Sequence, residues 1–434
     1  MEPLPTAFVP KPIRIVVIGA GISGIQFLKD ATTRLPNVNI TVYDKNSQEG
    51  GTWAENRYPG CACDIPSYAY QYSWNSNPRW SCLYAESAEI LDYLKSTVTK
   101  FNLRRYIQFG TTCAGADWDE KNSEWNVTLQ RIGTPNDEIS VKCDVFIIAI
   151  GRLNNWKLPE IEGLDTFQGR VIRTANWPQG LDYHGKDIAV IGNGASSTQC
   201  LASLHKDARS IGNFVRGPTW LVPHVFSRNG EAQKFETEPD SYLQFRLQIE
   251  KKLAYSFRGL WANSNTAEEF TQNAKQHMIN KIDDPQALKA LLPTEYKAGC
   301  RRFTPADKYM EALNKSNVEL ISTPTKQVEG NAIITTDGER RTYDMIVCGT
   351  GFDPYAPRFP IKGRGTANLS DLWSMDGGYE SYLAATVAGF PNFFVRWEDY
   401  DLKFDEDEQK FASFGNGITV EGFTPDSIPW LRYI

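Results

Sequence analysis

The sequence predicts an α/β protein with two Rossmann-like, dinucleotide-binding domains, the second inserted in the first, together with a helical insertion. The first observation is that an apolar run leads through a glycine-rich turn into a helix twice, beginning near Ile13 and near Asp187. The second is that a further apolar strand follows each helix, which completes two βαβ units. Two later apolar runs, 144–151 and 344–353, have similar glycine-containing ends and predict two more buried strands.

The order of these elements gives the expected domain boundaries. Residues 1–155 and 346–434 are assigned to the first, discontinuous domain, and residues 156–345 to the second. The helical insertion is expected at about residues 229–296, where the pattern of apolar residues changes. Apolar side chains recur there at helical spacing in two stripes: Tyr242, Phe245, Ile249, Leu253 and Phe257, then Phe270, Ala274, Met278 and Ile282.

The second helix of the insertion has its own start signal. Thr266 and Glu269 have the spacing of a capping box, which predicts that this helix begins at Thr266. The insertion either covers a sheet or shapes a substrate pocket beside a cofactor cleft. His277 lies near an apolar stripe and is expected to be a satisfied structural residue rather than a ligand.

Composition excludes several classes of function. The 434 residues are 41% hydrophobic and carry a net charge of −6 without a Lys/Arg-rich run, so a large core is expected and a nucleic-acid partner is not. Eight cysteines without a C-x-x-C pair indicate free buried thiols in a reducing compartment, and no metal site is predicted. Without an N-terminal apolar run of signal-peptide length or a stretch of about 18 apolar residues, a soluble cytoplasmic protein is expected.

The first glycine-rich turn, GAGISG, predicts a dinucleotide site. Gly19, Gly21 and Gly24 follow a strand and open a helix, where glycines let the backbone approach a pyrophosphate at the helix N-terminus. Asp44 ends the next strand, at the position where a carboxylate accepts hydrogen bonds from ribose hydroxyls. The alternative is a glycine-rich turn in an ordinary βαβ unit.

The second turn, GNGASS, predicts another nucleotide site with a different preference. Gly192 and Gly194 occupy two glycine positions, and Ser197 takes the third, where a small side chain allows close packing of helix and strand. The following strand ends in Arg216 instead of an acid. Since arginine pairs with a phosphate, the site is expected to prefer NADPH to NADH. The alternative is a surface arginine at a strand end.

Two nucleotide folds in one chain indicate electron transfer between two nucleotides. FAD commonly binds the N-terminal unit of such proteins, while the protein positions the flavin and tunes its chemistry. We therefore expect FAD in the first domain and NADPH in the second.

The segment GGTWAENRYPGCACDIPS, which follows the first βαβ unit, carries a resemblance to a known family. With GAGISG, GNGASS and GTGFD, it resembles the Baeyer–Villiger monooxygenases, a group of class B flavoprotein monooxygenases, over roughly residues 13 to 395. The resemblance implies a loop over the flavin. It assigns cofactor-binding positions in both domains: Gly51, Thr52, Trp53, Asp64 and Tyr70 in the first, and Ser196 and Gln199 in the second.

The segment GCRRFTPADKYMEAL resembles the basic segment of the same family. The resemblance implies that Arg301 contacts the 2′-phosphate, that Arg302 is the catalytic arginine beside the flavin, and that Asp64 orients Arg302. A fixed guanidinium stabilises the oxyanion of a carbonyl adduct, which suits this role. Lys308 replaces a glycine that the family usually has. The alternative is a solvated pair of arginines.

The stretch FQGRVIRTANWP matches the family fingerprint except at one position. Phe167, Gly169, Trp177 and Pro178 agree with it, whereas Arg173 occupies the position of the histidine that is thought to couple domain movements in the family. Arginine donates hydrogen bonds but cannot accept one and cannot be neutral near pH 7. The arginine at this position therefore predicts altered catalytic efficiency and not loss of function. The alternative is a linker residue with its head group in water.

A second departure lies after the strand GFPNFFV. In related fungal sequences this strand leads into a turn and a helix whose N-terminus faces the flavin, and that block is missing before RWEDYD in this chain. A helix N-terminus carries about half a positive charge, so its loss predicts weaker FAD binding, an altered reduction potential, or both.

These patterns favour an FAD- and NADPH-dependent monooxygenase that uses dioxygen to convert a ketone into an ester or lactone. Similarity to filamentous-fungal members suggests a ketone of secondary metabolism. Two alternatives stay open at this point: oxygenation of nitrogen or sulfur, and a flavin-binding relative without oxygenase activity, which Arg173 and the missing block both favour.

Overall fold

The computed structural model describes residues 11–134, 137–224, 239–257, 259, 264–299, 303–352, 357–373, 381–382, 385–395, 402–405 and 410–413. Its strands are Ile13–Ile18 (β1), Val38–Tyr43 (β2), Ile107–Gln108 (β3), Thr111–Asp119 (β4), Glu124–Arg131 (β5), Glu138–Cys143 (β6), Val145–Ile148 (β7), Arg170–Arg173 (β8), Asp187–Ile191 (β9), Ser210–Phe214 (β10), Leu221–Val222 (β11), Thr304–Pro305 (β12), Val318–Ile321 (β13), Thr325–Glu329 (β14), Ala332–Thr335 (β15), Arg340–Thr342 (β16), Met345–Cys348 (β17), Ile361–Lys362 (β18), Phe393–Val395 (β19), Leu402–Asp405 (β20) and Lys410–Ser413 (β21). Its α-helices are Ile22–Arg34 (α1), Thr52–Glu55 (α2), Ser87–Lys100 (α3), Ala195–Leu204 (α4), Pro239–Phe257 (α5), Asn265–Lys281 (α6), Pro285–Leu291 (α7), Asp307–Leu313 (α8) and Leu369–Leu372 (α9).

The first βαβ unit lies in a five-stranded parallel sheet with the order β19-β7-β1-β2-β3. Strand β1 is apolar on both faces because both faces are covered: Val17 packs in one core and Val16 in another, which also contains Trp125 and Phe146. Helix α1 follows β1 directly, and β2 ends at Tyr43, one residue before Asp44. The predicted first dinucleotide fold is confirmed.

The second unit forms another five-stranded parallel sheet, with the order β13-β10-β9-β17-β8. Strand β17 pairs with β9 on one side and β8 on the other, so it belongs wholly to this sheet. The boundary expected between residues 345 and 346 falls inside β17 and is therefore wrong. The chain leaves the second sheet only after Cys348 and returns to the first sheet at β19.

One continuous apolar core connects the two sheets. It contains Val17 of β1, Val190 of β9, Leu201 of α4 and Met278 of α6. A four-stranded sheet, β18-β4-β5-β6, and an antiparallel sheet, β14-β15-β16, pack at the outer sides. The inner faces of the two nucleotide units therefore share one desolvated interior.

The helical insertion is confirmed as helices α5, α6 and α7, and its expected residues 229–238 lie outside the described residues. The predicted capping box is wrong by two residues. Helix α6 begins at Asn265, and the Ser264 hydroxyl accepts a hydrogen bond from the Ala267 amide, so Ser264 is the N-cap. Serine competes with threonine as an N-cap, and both residues precede the same apolar stripe, so the sequence did not separate them.

The seven described cysteines form no disulfide, and all except Cys82 are buried. Burial raises the pKa of Cys61 to about 11, and it raises those of Cys113 and Cys348 to about 12, so these groups stay protonated thiols. Among the described residues, no set of three or more His, Cys, Asp or Glu side chains could hold a metal ion. No described helix has the length and apolar character needed to cross a bilayer.

Candidate nucleotide-binding clefts and active site

A cleft lies at the carboxyl ends of β1 and β2, and its volume is about 1070 Å³ including the open space at its mouth. Parallel sheets bind ligands at this edge. Most of the residues predicted for the first cofactor line this cleft: Gly19, Gly21, Asp44, Gly51, Thr52, Trp53 and Tyr70. Gly24 and Asp64 do not line it.

Close backbone contacts explain the glycines of this cleft. Gly19 has φ +110°, and a Cβ there would overlap the carbonyl oxygen of Ala149. A Cβ on Gly24 would overlap the carbonyl oxygen of Gly19, so Gly24 allows α1 to pack on the turn. A Cβ on Gly51 would lie 2.9 Å from the Gly21 Cα, and the Gly50 amide donates to the Ala20 carbonyl at 3.0 Å. The GAGISG turn and the GGTW segment therefore form one wall.

Backbone N–H groups at the N-terminus of α1 form part of this wall. Gly21 is the N-cap and supplies no side-chain hydrogen bond, so the first-turn N–H groups have no side-chain cap. Such donors, with the positive end of the helix dipole, bind the phosphate groups of a dinucleotide.

Asp44 lies on the floor of the cleft and is only 5% exposed. Its carboxylate accepts from the Ala20 amide and from the Asn46 amide, both at 2.7 Å. Burial raises the pKa of Asp44, while these two backbone hydrogen bonds act in the opposite direction. A buried carboxylate fixed in this way retains lone pairs that suit ribose hydroxyls.

The structure adds polar residues to the cleft that the sequence patterns did not identify. Lys45 donates to Asn154 at 2.8 Å and lies 3.1 Å from Glu55, and all three line the cleft. Arg152 and Arg358 also line it. One signal was available in the sequence, because Arg152 and Asn154 lie one and three residues after the glycine that ends the apolar run 144–151.

The second glycine-rich turn repeats the geometry of the first. Gly192 has φ +112°, and a Cβ there would lie 2.7 Å from the carbonyl oxygen of Gly349. Gly194 is the N-cap of α4, has no side-chain cap, and has open space where a Cβ would project. Ser197 is buried, and its hydroxyl donates to the Gly349 carbonyl at 3.2 Å, so it packs α4 against the end of β17. This agrees with the expected close packing at the third position.

Arg216 lies two residues beyond the end of β10 and is exposed. Its exposed position leaves the guanidinium accessible to a phosphate. Its contact with a 2′-phosphate stays a prediction.

Gln199 contacts the segment of residues 58–62. Its Oε1 accepts from the Tyr58 hydroxyl at 2.8 Å, and its Nε2 donates to the Ala62 carbonyl at 3.1 Å. Burial raises the pKa of Tyr58 well above its ordinary value, against the effect of a hydrogen bond with Ser196. Gln199 and Ser196 thus join α4 to the R-Y-P-G segment. Their contact with a cofactor stays a prediction.

The segment that carries Asp64 is held by backbone pairing. The Cys63 amide donates to the Ala85 carbonyl at 3.1 Å, and the Ser67 amide donates to the Leu83 carbonyl at 2.7 Å. Asp64 itself is half-buried. Arg301 and Arg302 lie outside the described residues, so the pairing of Asp64 with Arg302 stays a prediction.

Arg173 ends β8, the edge strand of the second sheet, and is not a solvated linker residue. Its guanidinium carbon lies 3.4 Å from the ring centroid of Trp156, and its side chain is half-buried. Burial lowers the pKa of Arg173, and the nearby Cys348 acts against this effect. The alternative with the head group in water is therefore wrong.

Two parallel sheets, each with an uncapped helix behind a glycine-rich turn, define a protein with two dinucleotide sites. The chain belongs to the flavin-binding monooxygenase-like family, whose model matches residues 12–359. This confirms the family relationship that the sequence motifs indicated.

Similar proteins come from fungi and bacteria. The FAD-binding monooxygenase tazF of Aspergillus terreus is 34% identical over 405 residues, which cover 89% of this chain and 71% of that protein. The FAD-binding monooxygenase moxY of Dothistroma septosporum is 36% identical over 401 residues, covering 88% and 63%. A Baeyer-Villiger monooxygenase of Streptomyces coelicolor is 33% identical over 393 residues, covering 88% and 72%. Several fungal relatives are thus matched over less than two thirds of their own length, for instance 63% and 65%.

Solved structures share the fold. An open crystal structure of cyclohexanone monooxygenase has a TM-score of 0.77 and 27% identity, covering 89% of this chain and 82% of that one. The structure of OTEMO in complex with FAD and NADP has a TM-score of 0.77 and 27% identity, covering 89% and 80%. The expected architecture of two Rossmann-like domains is therefore confirmed.

Proposed function

We propose that this chain is an FAD- and NADPH-dependent monooxygenase of the Baeyer–Villiger type. It uses dioxygen to insert one oxygen atom next to a ketone carbonyl, which gives an ester or lactone. The observation that carries this proposal is the first cleft, where the GAGISG turn, Asp44 and the GGTW segment meet. The names of the similar proteins and solved structures support the same reaction class.

The first cleft fits FAD by the chemistry of its lining. The uncapped N-terminus of α1 receives the pyrophosphate, and Asp44 accepts from ribose hydroxyls. Trp53 is 7% exposed, and its Nε1 donates to the Tyr70 hydroxyl at 3.3 Å, so these two residues form a fixed aromatic wall. When bound, FAD supplies the redox and oxygen-transfer chemistry. The protein holds and orients it.

The second unit fits NADPH. The uncapped N-terminus of α4 and the open space at Gly194 admit a pyrophosphate, and Arg216 pairs with the 2′-phosphate. Arg301 contributes a second charge there, as the family resemblance implies. The proposed domains are residues 1–155 with 349–434 and residues 156–348, after the correction at β17.

Arg302 stabilises the oxyanion that forms when the ketone carbonyl is attacked, and Asp64 orients its guanidinium. A fixed cation in a water-poor site stabilises developing negative charge more strongly than water does. The paired backbone around residues 61–67 and 83–87 gives Asp64 a defined position for this role.

The resemblance of the sequence to filamentous-fungal members supports a ketone of secondary metabolism as substrate. The described cysteines are free thiols, which agrees with a reducing, cytoplasmic compartment. We propose both points on these grounds.

The decisive experiment has two steps. First, an anaerobic absorption spectrum is recorded before and after addition of NADPH; a bound-flavin band that NADPH bleaches is expected. A ketone panel with oxygen then follows, with ester detected by mass spectrometry. An amine and sulfide panel run in parallel tests oxygenation of nitrogen or sulfur.

Arg302→Ala is expected to abolish ester formation while flavin reduction continues. Arg131→Ala, which changes an exposed arginine at the end of β5, is the matched control and should behave as the wild type. Ester formation by Arg302→Ala at the wild-type rate contradicts the catalytic assignment. A protein without a flavin band, or with one that NADPH leaves unchanged, contradicts the whole proposal and favours a flavin-binding relative without oxygenase activity.

A further inference from the structure

Residues 58–62 are held against α4 by a set of neutral hydrogen bonds. The Tyr58 hydroxyl donates to Gln199 Oε1 at 2.8 Å and also forms a hydrogen bond with Ser196. Gln199 Nε2 donates to the Ala62 carbonyl at 3.1 Å, and the Ala62 amide donates back to Gln199 Oε1 at 3.4 Å. Both polar atoms of the Gln199 side chain are therefore engaged by this segment.

The backbone of the segment also fits closely against α4. Gly60 has φ +78°, and a Cβ there would overlap the Ser203 hydroxyl and lie 2.7 Å from the Gln199 carbonyl oxygen. Only glycine permits this approach at a positive φ. Ser196, Gln199 and Ser203 have the spacing i, i+3 and i+7, so they lie on one face of the helix. Residues 58–62 and this face of α4 together form the α4 junction.

The α4 junction connects the two nucleotide sites by a short path. Gly194 is the uncapped N-cap of α4, so Ser196 lies in the first turn, whose amides are proposed to receive the NADPH pyrophosphate. On the other side, Tyr58 lies three residues after Glu55, which ends α2 and lines the first cleft together with Trp53. Tyr58 is only 6% exposed, so its ring is fixed between these two elements.

Hydride transfer between two bound cofactors depends steeply on their separation. In the proposed function a hydride passes from the nicotinamide ring to the flavin, so NADPH loses two electrons and FAD gains them. The reacting atoms must lie about 3 to 3.5 Å apart, and a displacement of about 1 Å costs on the order of 100-fold in rate. Since each cofactor is proposed to bind its own sheet, contacts between the two units set this separation.

We propose that Gln199 and Tyr58 are positioning residues that set the distance between the two nucleotide sites for this hydride transfer. The inference rests on the proposed function, because it assigns the α4 junction a role in the reduction of FAD by NADPH. Neither residue lines the first cleft. Gln199 therefore acts through residues 58–62, in place of the direct cofactor contact that the family resemblance implies.

Gln199→Met in the holoenzyme tests this inference. Methionine has nearly the length of glutamine but makes none of the hydrogen bonds of the α4 junction. Anaerobic stopped-flow absorbance at several NADPH concentrations gives the limiting rate of flavin reduction and the dissociation constant for NADPH. The limiting rate is expected to fall by about 10- to 100-fold. The dissociation constant and the FAD content should change by less than about threefold.

Gln272→Met is the matched control, because Gln272 is an exposed glutamine of α6 that donates to Glu268 of the same helix. It should keep the wild-type rate and dissociation constant. A direct cofactor contact of Gln199 would raise the dissociation constant of Gln199→Met and leave its limiting rate unchanged. A structural role alone would lower its melting temperature and change neither constant. Each of these two outcomes overturns the inference.

Tyr58→Phe removes the hydroxyl from the other side of the same contact. It should lower the limiting rate in the same direction as Gln199→Met. The double variant should be no slower than the slower single variant, because both changes break one contact. Effects that multiply in the double variant would show that the two residues act independently, which contradicts a shared positioning role.

Gly60→Ala alters the α4 junction without removing a hydrogen-bonding side chain. The new methyl group pushes the segment away from α4, so the limiting rate is expected to fall by at least about tenfold. Gly133→Ala is its control: Gly133 lies between β5 and β6, has φ +87°, and has open space where a Cβ would project. It therefore carries a similar backbone strain without the overlap. Equal limiting rates in these two variants would overturn the inference.

A measurement on the FAD-free protein makes the result independent of activity. Hydrogen–deuterium exchange should be faster at the amides of Ala62 and Cys63 in Gln199→Met than in Gln272→Met. In the wild type these amides donate to Gln199 Oε1 and to the Ala85 carbonyl. If NADPH does not reduce the wild-type flavin, the proposed function fails. The exchange experiment still decides whether Gln199 holds residues 58–62 on α4, and unchanged exchange overturns the inference.

Discussion

The guanidinium of Arg173 stacks on the indole ring of Trp156, with 3.4 Å between the guanidinium carbon and the ring centroid. Arg173 ends the edge strand of the second sheet, while Trp156 forms a backbone bridge with Phe352, just beyond β17. Arg358, at the rim of the first cleft, lies 5.8 Å from the same ring. The substituted fingerprint position therefore contacts the segments between the two nucleotide units.

This contact predicts that substitutions at Arg173 have a modest effect on the rate of NADPH-driven flavin reduction. A partly buried cation–π contact contributes about 1 to 2 kcal/mol, so Arg173→His should change the rate of NADPH-driven flavin reduction by no more than about 30-fold. Stopped-flow absorbance under anaerobic conditions measures this rate. Trp156→Phe keeps an aromatic face and should resemble the wild type, whereas Trp156→Leu should resemble Arg173→Ala. Complete loss of flavin reduction in Arg173→His would show that the arginine has a larger role than stacking.

Arg216→Ala should raise the Michaelis constant for NADPH and leave that for NADH unchanged. A charge-assisted hydrogen bond to a phosphate contributes about 1.5 to 3 kcal/mol, which corresponds to about 10- to 100-fold. Arg209→Ala is the matched control: it is an exposed arginine directly before β10 whose guanidinium already pairs with Asp187. Equal effects on both nicotinamide cofactors would remove the 2′-phosphate role of Arg216.

Asp44→Asn should weaken FAD binding by about 10- to 100-fold, because a charged acceptor for the ribose is lost. It should also change the pH dependence of apoprotein stability. Burial raises the pKa of Asp44, so its ionised form is disfavoured in the folded state, and the free energy of unfolding gains a contribution as pH falls through that raised pKa.

Urea unfolding of the FAD-free protein at several pH values measures this contribution. The wild type should gain stability relative to Asp44→Asn as the pH is lowered from neutral towards about 4, the ordinary pKa of an aspartate. Asp117→Asn changes an exposed aspartate of β4 and serves as the control. A difference between wild type and Asp44→Asn that does not vary with pH would contradict the assignment.

Gly24→Ala and Gly194→Ala should distinguish a glycine that is needed for packing from one that is needed for the approach of a ligand. A Cβ on Gly24 overlaps the Gly19 carbonyl, so this variant should lose about 1 to 3 kcal/mol of stability and bind less FAD. Gly194 has a φ of −76° and open space around it, so its variant should unfold within about 0.5 kcal/mol of the wild type. Gly194→Ala should instead raise the NADPH Michaelis constant, because the new methyl group occupies the path of the pyrophosphate. Thermal unfolding and steady-state kinetics measure the two effects.

The sequence by itself determined the two βαβ units and most of the first cleft. The strand β1 is apolar from Ile15 to Ile18, the glycines follow it at fixed spacing, and Asp44 directly follows the next strand, so all three signals are local in the chain. Parallel strands bring their carboxyl ends to one edge, which is why Gly19, Asp44 and Gly51 line the same cleft.

Only the tertiary structure decided which distant residues meet. The contact of Arg173 with Trp156, the pairing of Asp307 with His224 and His277, and the place of Arg358 in the first cleft join residues far apart in sequence. No spacing along the chain encodes such pairs, because they arise when strands and helices pack and exclude water from polar groups that must then find partners. The same reason explains why Gln199 joins α4 to Ala62 although its sequence position indicated a cofactor contact alone.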